Sequence, residues 1–162
     1  MATTFKLQLG LKRKDDNEPV RFKIDGGRFD SEKTLKLNVD TPYLLELRLT
    51  QEIEVLDLAI QGSSISLNEG KSGKAGESLY TCEWTSTSFS PNKKGNRQQI
   101  IIIIRLKVSG VIVELKTTLQ CKLYKEEEKT HCKWGDLANF LEYDCKIPDG
   151  ATYVDVTKQV IR

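Results

Sequence analysis

Histidine is almost missing from this 162-residue sequence: His131 is the single one. That count alone excludes a multi-histidine metal centre. Strong net charge is missing too. Twenty-five Lys and Arg against 23 Asp and Glu leave +2, so no global field argues for nucleic acid or an anionic lipid surface. Long apolar runs are absent. The longest, Ile100 to Ile104, is far shorter than the roughly 18 apolar residues of a membrane span. Near the N-terminus the apolar residues alternate with polar ones from Phe5 onward. A secretory leader needs a continuous apolar stretch of about 7–15 residues instead. None of the six Asn residues begins an N-x-Ser/Thr sequon. These absences predict a cytoplasmic protein whose four cysteines (Cys82, Cys121, Cys132 and Cys145) are reduced.

What is present is a chain with 38% apolar and 30% charged residues, the balance of a globular protein. Its length fits a single domain spanning 1–162, large enough to fold without disulfide staples. The dominant period is two. Phe5, Leu7, Leu9 and Leu11 alternate with polar residues, as do Val20, Phe22 and Ile24, then Leu35, Leu37 and Val39, then Leu45, Leu47 and Leu49. Each run predicts a strand with one face to a core. The alternation slips by one between Val55 and Leu56, which predicts a bulge or a change of pairing partner. Tyr80, Cys82 and Trp84 make another strand. Ile100 to Val108 and Val111 to Tyr124 read as two long strands joined by a two-residue turn at Ser109-Gly110. Asn68 to Glu77 and the basic stretch Ser90 to Arg97 are expected to be mobile loops, and Gly135 to Tyr143 is the best helical candidate. Eight to ten antiparallel strands mean an all-β sandwich or flattened barrel.

Five isoleucines in a row imply burial on both faces, or a face covered by a ligand or partner. The long strands could thus line an apolar cavity through Ile100, Ile102, Ile104, Val113, Leu115 and Leu119, faced by Leu45, Leu47, Leu58 and Ile60. The alternative is a closed core.

Reactive constellations are sparse. His131 and Cys132 are adjacent, with Cys145 thirteen positions on, and no C-x-x-C or H-x-x-x-H occurs. Neighbours on a strand point to opposite faces, so the first two would not share an ion. Gly62-Ser63-Ser64 is not a G-x-S-x-G elbow. A dyad of His131 with Cys121 or Cys145 stays open as an enzymatic alternative. Carboxylate pairs such as Glu142 with Asp144 and Glu52 with Glu54 read as solvated strand faces. The loop Lys93-Lys94-Gly95-Asn96-Arg97, near Trp84 and Phe89, reads as solvated rather than as a nucleic-acid site.

One segment is more specific. His131-Cys132-Lys133-Trp134-Gly135, followed by Glu142-Tyr143-Asp144-Cys145-Lys146, resembles the H-C-x-W-G and E-Y-x-C-K signature of the cannabinoid receptor-interacting protein family. Phe22-Lys23-Ile24-Asp25-Gly26 with Arg28-Phe29 is similar to its Y-K-V-D-G-x-R-F, and Thr34-Leu35-Lys36-Leu37 with the later Tyr43 to its T-I-K-L and Tyr. Tyr80-Thr81 agrees. Pro91, Lys93, Gly95, Arg97, Gln98 and Ile100 fit its P-x-K-x-G-x-R-Q-x-I. The matches are collinear from about residue 20 to residue 146.

The resemblance implies a non-enzymatic adaptor without a cofactor, recruited to the inner face of the plasma membrane. Such an adaptor would bind the C-terminal tail of a G-protein-coupled receptor of cannabinoid type and modulate its G-protein signalling. It also implies a fold similar to that of Rho GDP-dissociation inhibitors. From that follows an alternative role as carrier of a lipidated signalling protein, such as a lipidated G-protein α subunit. The chain ends Val160-Ile161-Arg162, where vertebrate members have an apolar PDZ-like terminus, so PDZ coupling is not carried over. Trp134 is expected in the core rather than as a partner anchor, and Tyr43 and Tyr143 face the same choice.

Overall fold

A computed structural model of the chain describes residues 2–51, 53–71, 73–87, 89–93 and 95–162, with the backbone alone at 129 and 131. The described strands are β1 (Thr3–Arg13), β2 (Arg21–Ile24), β3 (Lys33–Asn38), β4 (Pro42–Leu49), β5 (Glu54–Ile60), β6 (Ser63–Ile65), β7 (Asn68–Gly70), β8 (Ser78–Thr85), β9 (Gln98–Val108), β10 (Val111–Tyr124), β11 (Asp136–Leu137), β12 (Leu141–Ile147) and β13 (Asp155–Ile161). One turn of helix, α1 (Lys129–Cys132), follows β10. The strands form a six-stranded sheet in the order β13-β12-β1-β4-β8-β7 and a seven-stranded sheet in the order β11-β2-β3-β10-β9-β5-β6. The two sheets pack face to face as a sandwich and do not close into a barrel. Three of the four edge strands are only two or three residues long, which limits edge-to-edge association.

Period-two patterning builds this directly. Phe5, Leu7, Leu9 and Leu11 of β1 meet Leu58 and Ile60 of β5 and Ile100, Ile102, Ile104 and Leu106 of β9 in one core cluster. The β9–β10 hairpin turns at Ser109 and Gly110, whose φ values of 50° and 80° are both positive. A tight hairpin that follows strand twist requires this conformation. Of the two readings of the slip the structure shows the bulge, with the partner strand unchanged: Val55 faces Leu106 and Asp57 faces Arg105, leaving Leu56 as the extra residue, 40% exposed.

The structure corrects several expectations. The strands number more than eight to ten, because β6, β7 and β11 are too short to show a period. Asn68–Gly70, read as loop, pairs with β8. The β3–β10 pairing is parallel; alternation carries no direction, so this was invisible in the pattern. Gly135 to Tyr143 is not helical. Asp136–Leu137 pairs with β2, and Leu141 resumes the two-residue period. Gly135, at a φ of 110°, is unsuited to starting a helix. The isoleucine run is buried on one face only. Ile100, Ile102 and Ile104 are enclosed, whereas Ile101 is 36% exposed and Ile103 is half-buried, flanked in register by Ala59 and Lys116.

Replacing Ile102, 1% exposed, with alanine is expected to cost about 2–5 kcal/mol of stability. Ile112→Ala, on the exposed side of β10, should change it by no more than about 0.5 kcal/mol. Urea melts of the two variants check this.

Candidate functional site

β3 is buried on both faces. Leu35 and Leu37 enter the core, and Thr34, Lys36 and Asn38 point the other way, yet none of the three is more than 8% exposed. A buried polar row needs partners, and distant segments supply them. The Thr34 hydroxyl donates to Asp25. Gln120 Nε2 donates to Thr34 Oγ1 at 2.9 Å and to the Ser31 carbonyl at 2.9 Å. Arg97 grips Asp25 with Nε and Nη2, both at 3.0 Å, and its guanidinium lies 4.4 Å from the centre of the Phe29 ring. Both charges of this pair are nearly enclosed, at 4% and 6% exposure. Burial alone would raise the Asp25 carboxyl. Hydrogen bonds from Arg97 and Thr34 outweigh it and hold the pKa below its ordinary value of 3.8. Asn38 sits at the end of the row. Its backbone N–H donates to the Tyr43 hydroxyl at 2.8 Å, its Nδ2 to the Lys125 carbonyl at 2.8 Å, and its Oδ1 accepts from buried Arg13.

The H-C-K-W-G segment closes the same surface. Lys36 Nζ donates to the Trp134 carbonyl at 2.7 Å, and Arg21 Nη1 to the Gly135 carbonyl at 2.9 Å. A Cβ on Gly135 would stand 2.6 Å from the Phe22 carbonyl oxygen, so only glycine permits this approach. Trp134 was expected in the core and is instead 57% exposed. Its backbone is committed to Lys36, and the tight turn at Gly135 leaves the indole outside.

Between these segments lies a cleft of about 550 Å³ lined by Lys23, Lys36, Lys93, Lys122 and Lys125, with Pro91, Asn92, Leu123, Tyr124 and Glu128. Strand register sets its floor. Arg21 of β2 and Lys122 of β10 both lie opposite Lys36 of β3. Burial, then the Arg97 and Lys122 charges, lowers the pKa of Lys23. Burial likewise lowers Lys36, with Lys122 and Arg21 acting in the same sense. Within the stretch Ser90 to Arg97, expected to be a mobile loop, Asn92 and Arg97 make hydrogen bonds to the sheet and to Asp25. Asn92 N–H donates to the Leu123 carbonyl at 2.8 Å, and Leu123 N–H returns to Asn92 Oδ1 at 2.9 Å. Sequence reasoning found Lys93 as part of a basic loop but missed Lys23, Lys36, Lys122 and Lys125 as a group. The available signal was a lysine or arginine at outward positions of β2, β3 and β10.

The apolar candidates have a different place. Leu45, Leu47, Leu58, Ile60, Ile100, Ile102, Ile104, Val113, Leu115 and Leu119 come together, each at most 4% exposed. In this conformation they are core; Leu45 and Leu47 do face the long strands from the other sheet, but Leu58 and Ile60 lie on β5, beside β9 in the same sheet, because antiparallel pairing joins β5 to β9. Tyr143 and Cys145 of the E-Y-x-C-K half are core as well, while Lys146 is exposed. Tyr43 and Tyr143 are both enclosed, and Tyr143 accepts a 3.1 Å hydrogen bond from Thr117 across the sandwich. The two signature halves therefore do not form one site.

A cysteine enzyme finds little support here. Cys145 faces the core from β12, while Cys132 lies by Arg13 and Lys36. Burial pushes the Cys132 thiol up to about 11 and the Cys145 thiol up to about 12, away from the reactive thiolate. None of the four cysteines is paired. The side chain of His131, and residues Glu52 and Lys94, lie outside the described residues. Among the described residues no three His, Cys, Asp or Glu side chains are grouped to hold a metal ion, and no helix is long and apolar enough to cross a membrane.

Asp25→Asn is expected to cost about 3–5 kcal/mol near neutral pH, because Arg97 stays buried without its counter-charge. Since the folded pKa of Asp25 is depressed, its contribution is complete above about pH 5 and fades as pH falls below about 4. The stability gap between the two proteins should therefore narrow in acid. Urea midpoints from pH 7 to pH 2.5 test this, and a gap of constant size would contradict it.

A protein-family model described as CB1 cannabinoid receptor-interacting protein 1 matches residues 1–161. The mouse (Mus musculus) protein of that name is 29% identical over 156 residues, covering 95% of this chain and 93% of the relative. The human (Homo sapiens) protein is 28% identical over the same coverage. The signature segments, their collinear order and the whole-length match agree: this chain belongs to the CB1 cannabinoid receptor-interacting protein 1 family.

Proposed function

We propose that this protein is a non-enzymatic adaptor that binds the cytoplasmic tail of a G-protein-coupled receptor of the cannabinoid type. In this reading it acts at the inner face of the plasma membrane and modulates G-protein signalling. The mouse and human relatives are named for interaction with the CB1 cannabinoid receptor. The observation that carries the proposal is spatial. The segments of family resemblance around residues 22–29, 34–37, 91–100 and 132–135 lie far apart in the chain, yet they assemble one outer surface of the second sheet. A surface built this way suits docking of a partner segment. The raised thiol pKa values of Cys132 and Cys145 favour binding over cysteine chemistry.

Calorimetric titration with the receptor's C-terminal cytoplasmic peptide tests the binding step. Saturable binding is expected, weakened by about tenfold or more when the peptide sequence is scrambled. Equal affinity for both peptides would contradict the proposal. In receptor-bearing membranes the added protein should change agonist-driven nucleotide exchange. Unchanged exchange despite intact binding would remove the signalling part.

A further inference from the structure

We propose that the lysine cleft on the outer face of β2, β3 and β10 is a docking site for an extended acidic peptide segment, carrying carboxylate or phosphate groups, of a partner protein. The inference gives a place and a chemistry to the binding reading above, yet stands on its own observations. Five lysines and one glutamate line the cleft, in a chain whose net charge is only +2. The lining thus carries four more positive than negative groups, an excess larger than that of the whole chain. Like charges set opposite one another in register are unfavourable, and the row Arg21, Lys36 and Lys122 is such an arrangement. The Gly135 and Trp134 carbonyls receive Arg21 and Lys36, and Lys122 stands beside Lys36 on the same face. The nearest carboxylate to Lys23 is Asp25 at 3.9 Å, which Arg97 already holds at 3.0 Å. An arriving anion relieves this crowding.

Shape selects the occupant. The volume of about 550 Å³ lies within the range of about 300–1,000 Å³ typical of ligand clefts. The three-strand row covers two strand spacings, about 10 Å, wider than one carboxylate or phosphate. Acidic side chains two residues apart on an extended segment stand about 7 Å apart and meet more than one of these lysines. Lys36 is buried and Lys23 only a third exposed. A side chain can enter such a recess, whereas a flat membrane surface favours protruding cations. Glu128, whose backbone N–H donates to the Lys125 carbonyl at 2.9 Å, is part of the lining, and its carboxylate disfavours an indiscriminate polyanion.

The test uses the full chain and a fluorescein-labelled peptide of alternating glutamate and serine. A peptide of glutamine and serine and vesicles of phosphatidylserine in phosphatidylcholine are run beside it. The acidic peptide should bind. Replacing its glutamates by glutamine, or the cleft by the double variant Lys93→Glu, Lys122→Glu, should each weaken binding by at least about tenfold. Lys158→Glu, on exposed β13 of the other sheet, should leave it unchanged, and thermal melts confirm that the variants fold. Equal binding of the two peptides overturns the proposal, as does binding indifferent to the double variant. Vesicle binding that depends on the cleft, without peptide binding, overturns it in favour of a lipid surface. If the receptor tail binds but ignores the double variant, the cleft assignment falls and the adaptor reading stands. If the acidic peptide binds the cleft and the receptor tail does not bind, the reverse holds.

Discussion

A strand with both faces buried must satisfy its outward polar groups within the protein, and β3 is such a strand. Its inner residues, Leu35 and Leu37, belong to the shared core. Its outer residues are Thr34, Lys36 and Asn38. An unsatisfied buried polar group costs about 1–3 kcal/mol, so each must be met. Asp25 and Gln120 meet Thr34, the Trp134 carbonyl meets Lys36, and Arg13, Tyr43 and the Lys125 carbonyl meet Asn38. Among the described residues no buried side-chain polar atom is left without a partner. This requirement pulls the 25–33, 91–97 and 125–135 segments onto one surface and holds them there.

The family signature divides along the same line. Tyr143 and Cys145 lie inside the sandwich, where Tyr143 links the two sheets through Thr117. Cys132, Trp134 and Gly135 lie outside, where the backbone of the turn caps cations of β2 and β3. One half of the motif supports the fold and the other shapes the surface. The cleft follows from the second half. Closing the turn over Lys36 and Arg21 leaves Lys122, Lys23 and the loop lysines grouped around a recess.

Much of the fold was legible because period-two alternation is a direct readout of which side chains face the core. The Ser109-Gly110 turn and the bulge at Leu56 were visible for the same reason: one needs positive φ, and the other breaks the period. The parallel β3–β10 pairing was not legible, because alternation has no direction. The short strands β6, β7 and β11 hold too few residues to show a period. The surface site was legible only in part. The motif residues Asp25, Arg97 and Gly135 stood out by resemblance, but their meeting depends on a sheet register that joins residues 72 positions apart in the case of Asp25 and Arg97. The lysines of the cleft are ordinary outward strand residues when read singly. Trp134 misled because size and apolarity argue for burial, while the backbone demands of Lys36 and Gly135 decided its place.

We place partner binding on the outer face of β2, β3 and β10 rather than within the sandwich. Backbone amide shifts of the isotope-labelled protein, followed by NMR during titration with the receptor's cytoplasmic tail, test this most directly. The largest shifts are expected on residues 21–36, 91–97 and 120–135. Shifts concentrated instead on the inward residues Leu47, Leu58, Ile102 and Leu115, or on the opposite sheet around β12 and β13, would contradict it.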